Sequence, residues 1–160
     1  LGDSPGGDLL REAYESTEFN IVVEVILDGG YGSDLESGRN SDGSITWNAR
    51  LGLRYVDGRG RTQEISPAVG LAHEVAHEWL HQKMPKDHMN DDAQRGLPTM
   101  EMLKYRLDKV KNNKNDEMYI INMIETPTAI HVKEIPSDGG RKDYVGTPVF
   151  WETPTRRGSR

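Results

Sequence analysis

The chain has 160 residues, 34% of them hydrophobic and 29% charged, with a net charge of −6. That length allows one domain with a lean core and excludes two comfortable ones, while the acidic balance argues against nucleic acid as the main partner. With no cysteine, disulfides and thiolate ligands are excluded, so any metal must be held by His and carboxylate.

Residues 1–16 read as a flexible lead-in, rich in Gly, Asp and Ser around Pro5. Residues 19–27, FNIVVEVIL, are dense in β-branched side chains and read as a buried strand. The Gly-rich stretch 28–43 is expected as loop or a weak hairpin. Residues 44–56 alternate in part, through Ile45, Trp47, Leu51, Leu53 and Tyr55, and the turn at Asp57-Gly58 leads into a further strand over 60–65. An apolar helix then opens with Ser66 as N-cap and Pro67 as its first residue. Residues 84–96 are polar and irregular, and Thr99 could cap a helix from Met100 to about Lys111. A second apolar-periodic segment runs from Asp116 through Ile124, and Thr126-Pro127 marks the start of a short helix to about Glu134. After the Gly139-Gly140 turn, residues 143–151 form a last strand or irregular cover, and 153–160 a basic tail. No apolar run approaches the roughly 20 residues of a membrane span, and no signal peptide is visible. Because the sequence starts at Leu1 without Met, we expect a processed or excised piece, with any export signal on the missing part.

The helix after Ser66 carries His73-Glu74-Val75-Ala76-His77. Four residues advance a helix by just over one turn, so both imidazoles leave one face close enough to share a metal ion. Glu74 lies beside that face, where it can take a proton from water that the metal acidifies. The alternative is a surface helix carrying two His by chance. The five-residue pattern arises at random in fewer than about one in a hundred chains of this length, which favours the metal.

Catalytic zinc usually takes three protein ligands and a water. His81 is excluded as the third, because eight helical residues from His73 span about 12 Å. His88 and His131 remain open but have no neighbour at ligand spacing. Glu117 and Glu125 are better placed, flanking Ile121 and Ile124 on a segment whose apolar side must face the core. The same 12 Å span means that one would be a ligand and the other a supporting group.

Taken together, residues 66–77, Asp116-Glu117, Glu125-Thr126 and Arg141-Lys142-Asp143-Tyr144 stand in an order that resembles the NleD-like effector metallopeptidases. These are bacterial toxin domains that also occur at the ends of Rhs-type polyproteins. The order is also distantly similar to that of clostridial neurotoxin light chains. The resemblance implies zinc held by His73, His77 and Glu117, with Glu125 supporting the site from behind. It implies Glu74 as general base, and Arg141 and Tyr144 as stabilisers of the oxyanion. It further implies a protein secreted or delivered into a target cell, with a target protein as substrate and a cognate immunity protein if the target is bacterial.

The expected fold is therefore α+β: one compact zincin-like domain over 17–152, with a small, twisted, mainly antiparallel sheet packed on the metal helix. The expected activity is zinc-dependent endopeptidase. Two other readings follow from the same residues, a zincin fold kept as a catalytically silent binding module and a zinc hydrolase that does not cut peptides. Metal content followed by a cleavage assay separates them.

Overall fold

The computed structural model describes residues 1–18, 20–26, 37–83, 116–143 and 145–155. The expected helix over Met100–Lys111, together with His88, Tyr144 and the end of the basic tail, lies outside the described residues.

The chain is a compact mixture of helices with two small sheets rather than the single expected sheet. The first holds β1 (Val23–Ile26), β2 (Gly38–Arg39) and β3 (Ile45–Asn48), in the order β1-β3-β2. Here β2 and β3 form a hairpin that reaches beyond the stretch 28–43 expected as loop or weak hairpin, residues 28–36 of which lie outside the described residues. By contrast, β1 runs parallel to β3 with Val23 opposite Ile45. The second sheet holds β4 (Leu51–Val56), β5 (Thr62–Ile65) and β6 (Thr147–Phe150), all antiparallel in the order β5-β4-β6. The strand expected over 44–56 is thus two strands in different sheets. Buried Asn48 causes the break, because its Oδ1 accepts from the Arg50 N–H at 3.0 Å and folds the backbone into a side-chain-closed turn.

A second correction concerns the lead-in, which contains α1 (Pro5–Glu15). Ser4 caps it by accepting from the Gly7 N–H at 3.1 Å, and Pro5 occupies the first turn, where no N–H is needed. Leu9, with Leu10 and Ala13, packs into a core shared with Ile45, Val75, Ala76, Trp79, Leu80 and Ile120. Gly6 permits the approach: its N–H donates to Thr128 Oγ1 at 2.7 Å, and a Cβ there would meet that oxygen at 2.7 Å and Ala72 Cβ at 2.8 Å. We therefore expect Gly6→Ala to destabilise the fold by about 1–3 kcal/mol through overpacking, although alanine is the better helix former. Denaturant midpoints check this, and a stabilised variant would show that α1 is not seated as described.

The central element is α2 (Pro67–Lys83). Its start is fully accounted for: Pro67 has no N–H, Ala68 donates to Pro154 O, Val69 to Ser66 Oγ and Gly70 to Ser66 O. Val69 lies in a second core with Tyr55, Ile65, Ala129 and Ile135, while Val75 to Leu80 belong to the core under α1. The His73-Glu74-Val75-Ala76-His77 pattern overlaps the core under α1, which buries its Val75 and Ala76. Opposite it run α3 (Asp116–Ile120), a π-helical turn (Ile121–Glu125) and α4 (Thr126–His131), in unbroken succession. Thr126 is therefore not the cap expected from the sequence, since its backbone is helical at φ −60°, ψ −49°. Among the described residues, no helix is long and apolar enough to cross a membrane.

Candidate metal centre

One turn of α2 brings His73 Nε2 and His77 Nε2 to 3.1 Å, with the ring centroids 4.9 Å apart. From α3, Glu117 reaches across with Oε2 3.0 Å from His77 Nε2 and Oε1 3.3 Å from His73 Nε2. A tetrahedral ion about 2 Å from each ligand spaces those ligands about 3.3 Å apart. The three side chains fit such an ion, and they form a group able to hold a metal. Glu74 is half-buried and lines the same cleft, which has a volume of about 290 Å³.

Glu125 lies behind this group, almost wholly buried, with Oε2 2.9 Å from His73 Nδ1. Two carboxylates eight residues apart thus approach opposite nitrogens of one imidazole. A straight α-helix would leave them about 80° apart around the axis. The π-helical turn removes that offset, because each residue in its wider turn rotates the chain less. Its defining bond runs from the Thr126 N–H to Ile121 O, five residues back. Pro127 accounts for the irregularity: it has no N–H to offer the Met123 carbonyl, and its ring would press on that carbonyl in a regular α-helix.

Arg141 joins the two carboxylates, with Nη2 3.1 Å from Glu117 Oε1 and Nε 3.0 Å from Glu125 Oε1. The contacts of Glu125 with His73 Nδ1 and Arg141 Nε are close but poorly aligned, so they act as ion pairs more than as linear hydrogen bonds. Arg141 is buried, and its backbone pairs with Asp57 beside the β4–β5 turn. That turn clamps the loop carrying Arg141. Asp57 is fully buried and accepts from the Arg59 and Arg61 backbones, from Arg61 Nε and from Gln63. Burial pushes the Asp57 carboxyl up, but these donors outweigh it and hold it well below the usual range. Arg59 and Arg61 in turn grip Asp138, and Tyr55 donates to Gly139 O at 2.8 Å.

Burial alone would push the His73 imidazole down, but Glu117 and Glu125 outweigh it and raise the group to about 9. Burial likewise pushes Glu117 up, and the hydrogen bonds from His73 and His77 reverse this, holding it well below the carboxylate range. A metal needs neutral imidazole, so below pH 9 it must displace a proton from His73. Affinity for a divalent ion should therefore fall as pH falls, by at least about tenfold per unit between pH 8 and 6. Titration against a competing chelator measures this, and a flat profile would show that His73 is not a ligand.

The structure brings together His73, Glu74, His77, Glu117, Glu125 and Arg141. His81 and His131 are exposed and absent from the cleft. Sequence reasoning missed the Asp57–Asp138 clamp, because Asp57-Gly58 carries an ordinary turn signal and nothing local ties it to Arg141. It also missed the cleft's apolar wall, formed by strand residues whose register is not written in any motif. No family model matches the chain, and no curated protein or solved structure matches it either.

Proposed function

We propose that this chain is a zinc-dependent endopeptidase of zincin type, akin to the NleD-like effector metallopeptidases. The observation that carries this reading is the convergence of His73, His77 and Glu117 donor atoms in a cleft that also holds Glu74. Two His and one Glu are a ligand set of catalytic zinc. When bound, zinc supplies Lewis acidity, polarising a carbonyl and acidifying water.

The chain's own residues do the rest. His73, His77 and Glu117 hold the ion, while Glu125 fixes the orientation of the His73 ring. Arg141, to which the resemblance also assigns a share in holding the oxyanion, pairs with both carboxylates. Glu74 accepts a proton from the attacking water as its oxygen bonds to the scissile carbon. It returns that proton to the leaving nitrogen as the C–N bond breaks. Tyr144 is assigned, from its place three residues after Arg141, as a donor to the oxyanion. A target-cell protein as substrate, delivery by a bacterial secretion system and an immunity protein as partner belong to the same reading, and all three rest on the resemblance.

The test begins with metal. One zinc per chain is expected, lost in His73→Ala and His77→Ala and weakened in Glu117→Ala. The zinc-loaded protein should cut an unstructured protein such as casein, stop on chelation and recover on zinc addition. Full zinc retention in Glu117→Ala would move the third ligand to Glu125. Zinc without cleavage across varied protein substrates would favour the silent binding module.

A further inference from the structure

We propose that the cleft carries a subsite for an uncharged, apolar side chain of the substrate beside the bond that is cut, and that Gly70 sets the size it accepts. The proposal rests on the hydrolase reading above and gives it a substrate class. Ile65, Leu53 and Pro148 are register partners across β5, β4 and β6, so they form one apolar row spanning the whole second sheet. Leu51 lies two residues along β4 from Leu53, on the same face, and all four line the cleft with Gly70, His73 and Glu74.

Gly70 stands three and four residues before His73 and Glu74, which puts it on their side of α2. It is not there for packing. A Cβ at Gly70 would meet no heavy atom of the described residues within 4 Å, whereas one at Gly52 would meet Ile65 O at 2.3 Å. Glycine inside a helix is unfavourable relative to alanine. Here its missing side chain leaves open space between α2 and the apolar row. The cleft's His73, His77, Glu117, Glu125 and Arg141 are already paired with one another. Opposite them the lining is the apolar row, whose Leu53 and Pro148 are its less buried members, with Ser37 and Ser66 alongside. A cleft of about 290 Å³ has room for such a side chain beside the bond that is cut.

Two measurements test this. Zinc-loaded protein is used to digest a peptide library, and the cut sites are read by mass spectrometry. Enrichment of Leu, Ile, Met or Phe at one position flanking the cut is expected. Gly70→Leu should shift that preference to Ala and Gly, with at least about a tenfold loss on the large residues. Gly70→Ala should fall between, and it serves if the leucine variant does not fold. Separately, zinc-loaded Glu74→Gln protein is titrated with the N-acetyl methylamides of leucine, glycine and lysine, following the Leu53 and Ile65 methyl signals by NMR. Only the leucine compound should move them, and adding Gly70→Leu should abolish the effect. Either response moving with Gly70 supports the subsite, and both staying unchanged overturns it. A positive titration with no peptide cleavage would sink the hydrolase reading while the subsite stood.

Discussion

Replacing Glu74 by Gln should abolish most turnover, by on the order of a thousandfold, while leaving the metal content unchanged. Glutamine keeps the shape of the side chain, so the half-buried position in the cleft tolerates it. What would be lost, under the proposed mechanism, is the ability to accept a proton from water and return it to the leaving nitrogen. The candidate ligand set of His73, His77 and Glu117 is untouched. Two assays read the result together: metal per chain, and the initial rate on a cleaved substrate. A variant that keeps near-normal rates would remove Glu74 from the reaction. One that loses the metal as well would make Glu74 a ligand and overturn the assignment of Glu117.

The second large effect is expected at Glu125. Changing it to Leu takes from the buried Arg141 guanidinium its buried partner, leaving it the half-buried Glu117, and strips the support from His73 Nδ1. Removing one partner of a buried ion pair costs about 3–5 kcal/mol, because the other charge stays desolvated. Loss of the group that orients a ligating imidazole weakens metal binding about 10–100-fold. The two consequences separate in a second variant. Glu125→Leu combined with Arg141→Met removes both charges, so stability should largely return while metal affinity should not. Denaturant unfolding of the metal-free protein and a chelator competition give the two numbers. Recovery of both would make Glu125 a purely structural partner of Arg141.

The centre was legible in the sequence because its signal is local. His73, Glu74 and His77 lie within one turn, the cap and proline precede them, and α2 spans Pro67–Lys83 as that pattern requires. Glu117 and Glu125 were legible as a pair, since eight helical residues could not place both on one ion. The opposite nitrogens of His73 that they approach were not legible. That arrangement depends on the π-helical turn, which Pro127 forces and which no propensity predicts. Helix α1 was hidden because Gly6 and Gly7 weaken its propensity, and its formation rests on contacts with α2 and Thr128 far along the chain. The split at Asn48 is set by its side chain closing on Arg50 two residues on, and the parallel pairing of Val23 with Ile45 by a distant partner, neither of which alternation along a strand reveals.

The ligands also bear on how a chain without cysteine is held together. His77 and Glu117 are forty residues apart, on α2 and α3. An ion shared by both would close that stretch as a covalent bridge does, narrowing the unfolded ensemble. A cross-link over a loop of this length is worth about 4 kcal/mol in the chain-entropy account. Lengthening the intervening stretch changes that little, since each doubling adds only about 0.6 kcal/mol of closure entropy. With an ion bound, the stretch between His77 and Glu117 could therefore vary in length at little cost to the stability that such a bridge supplies.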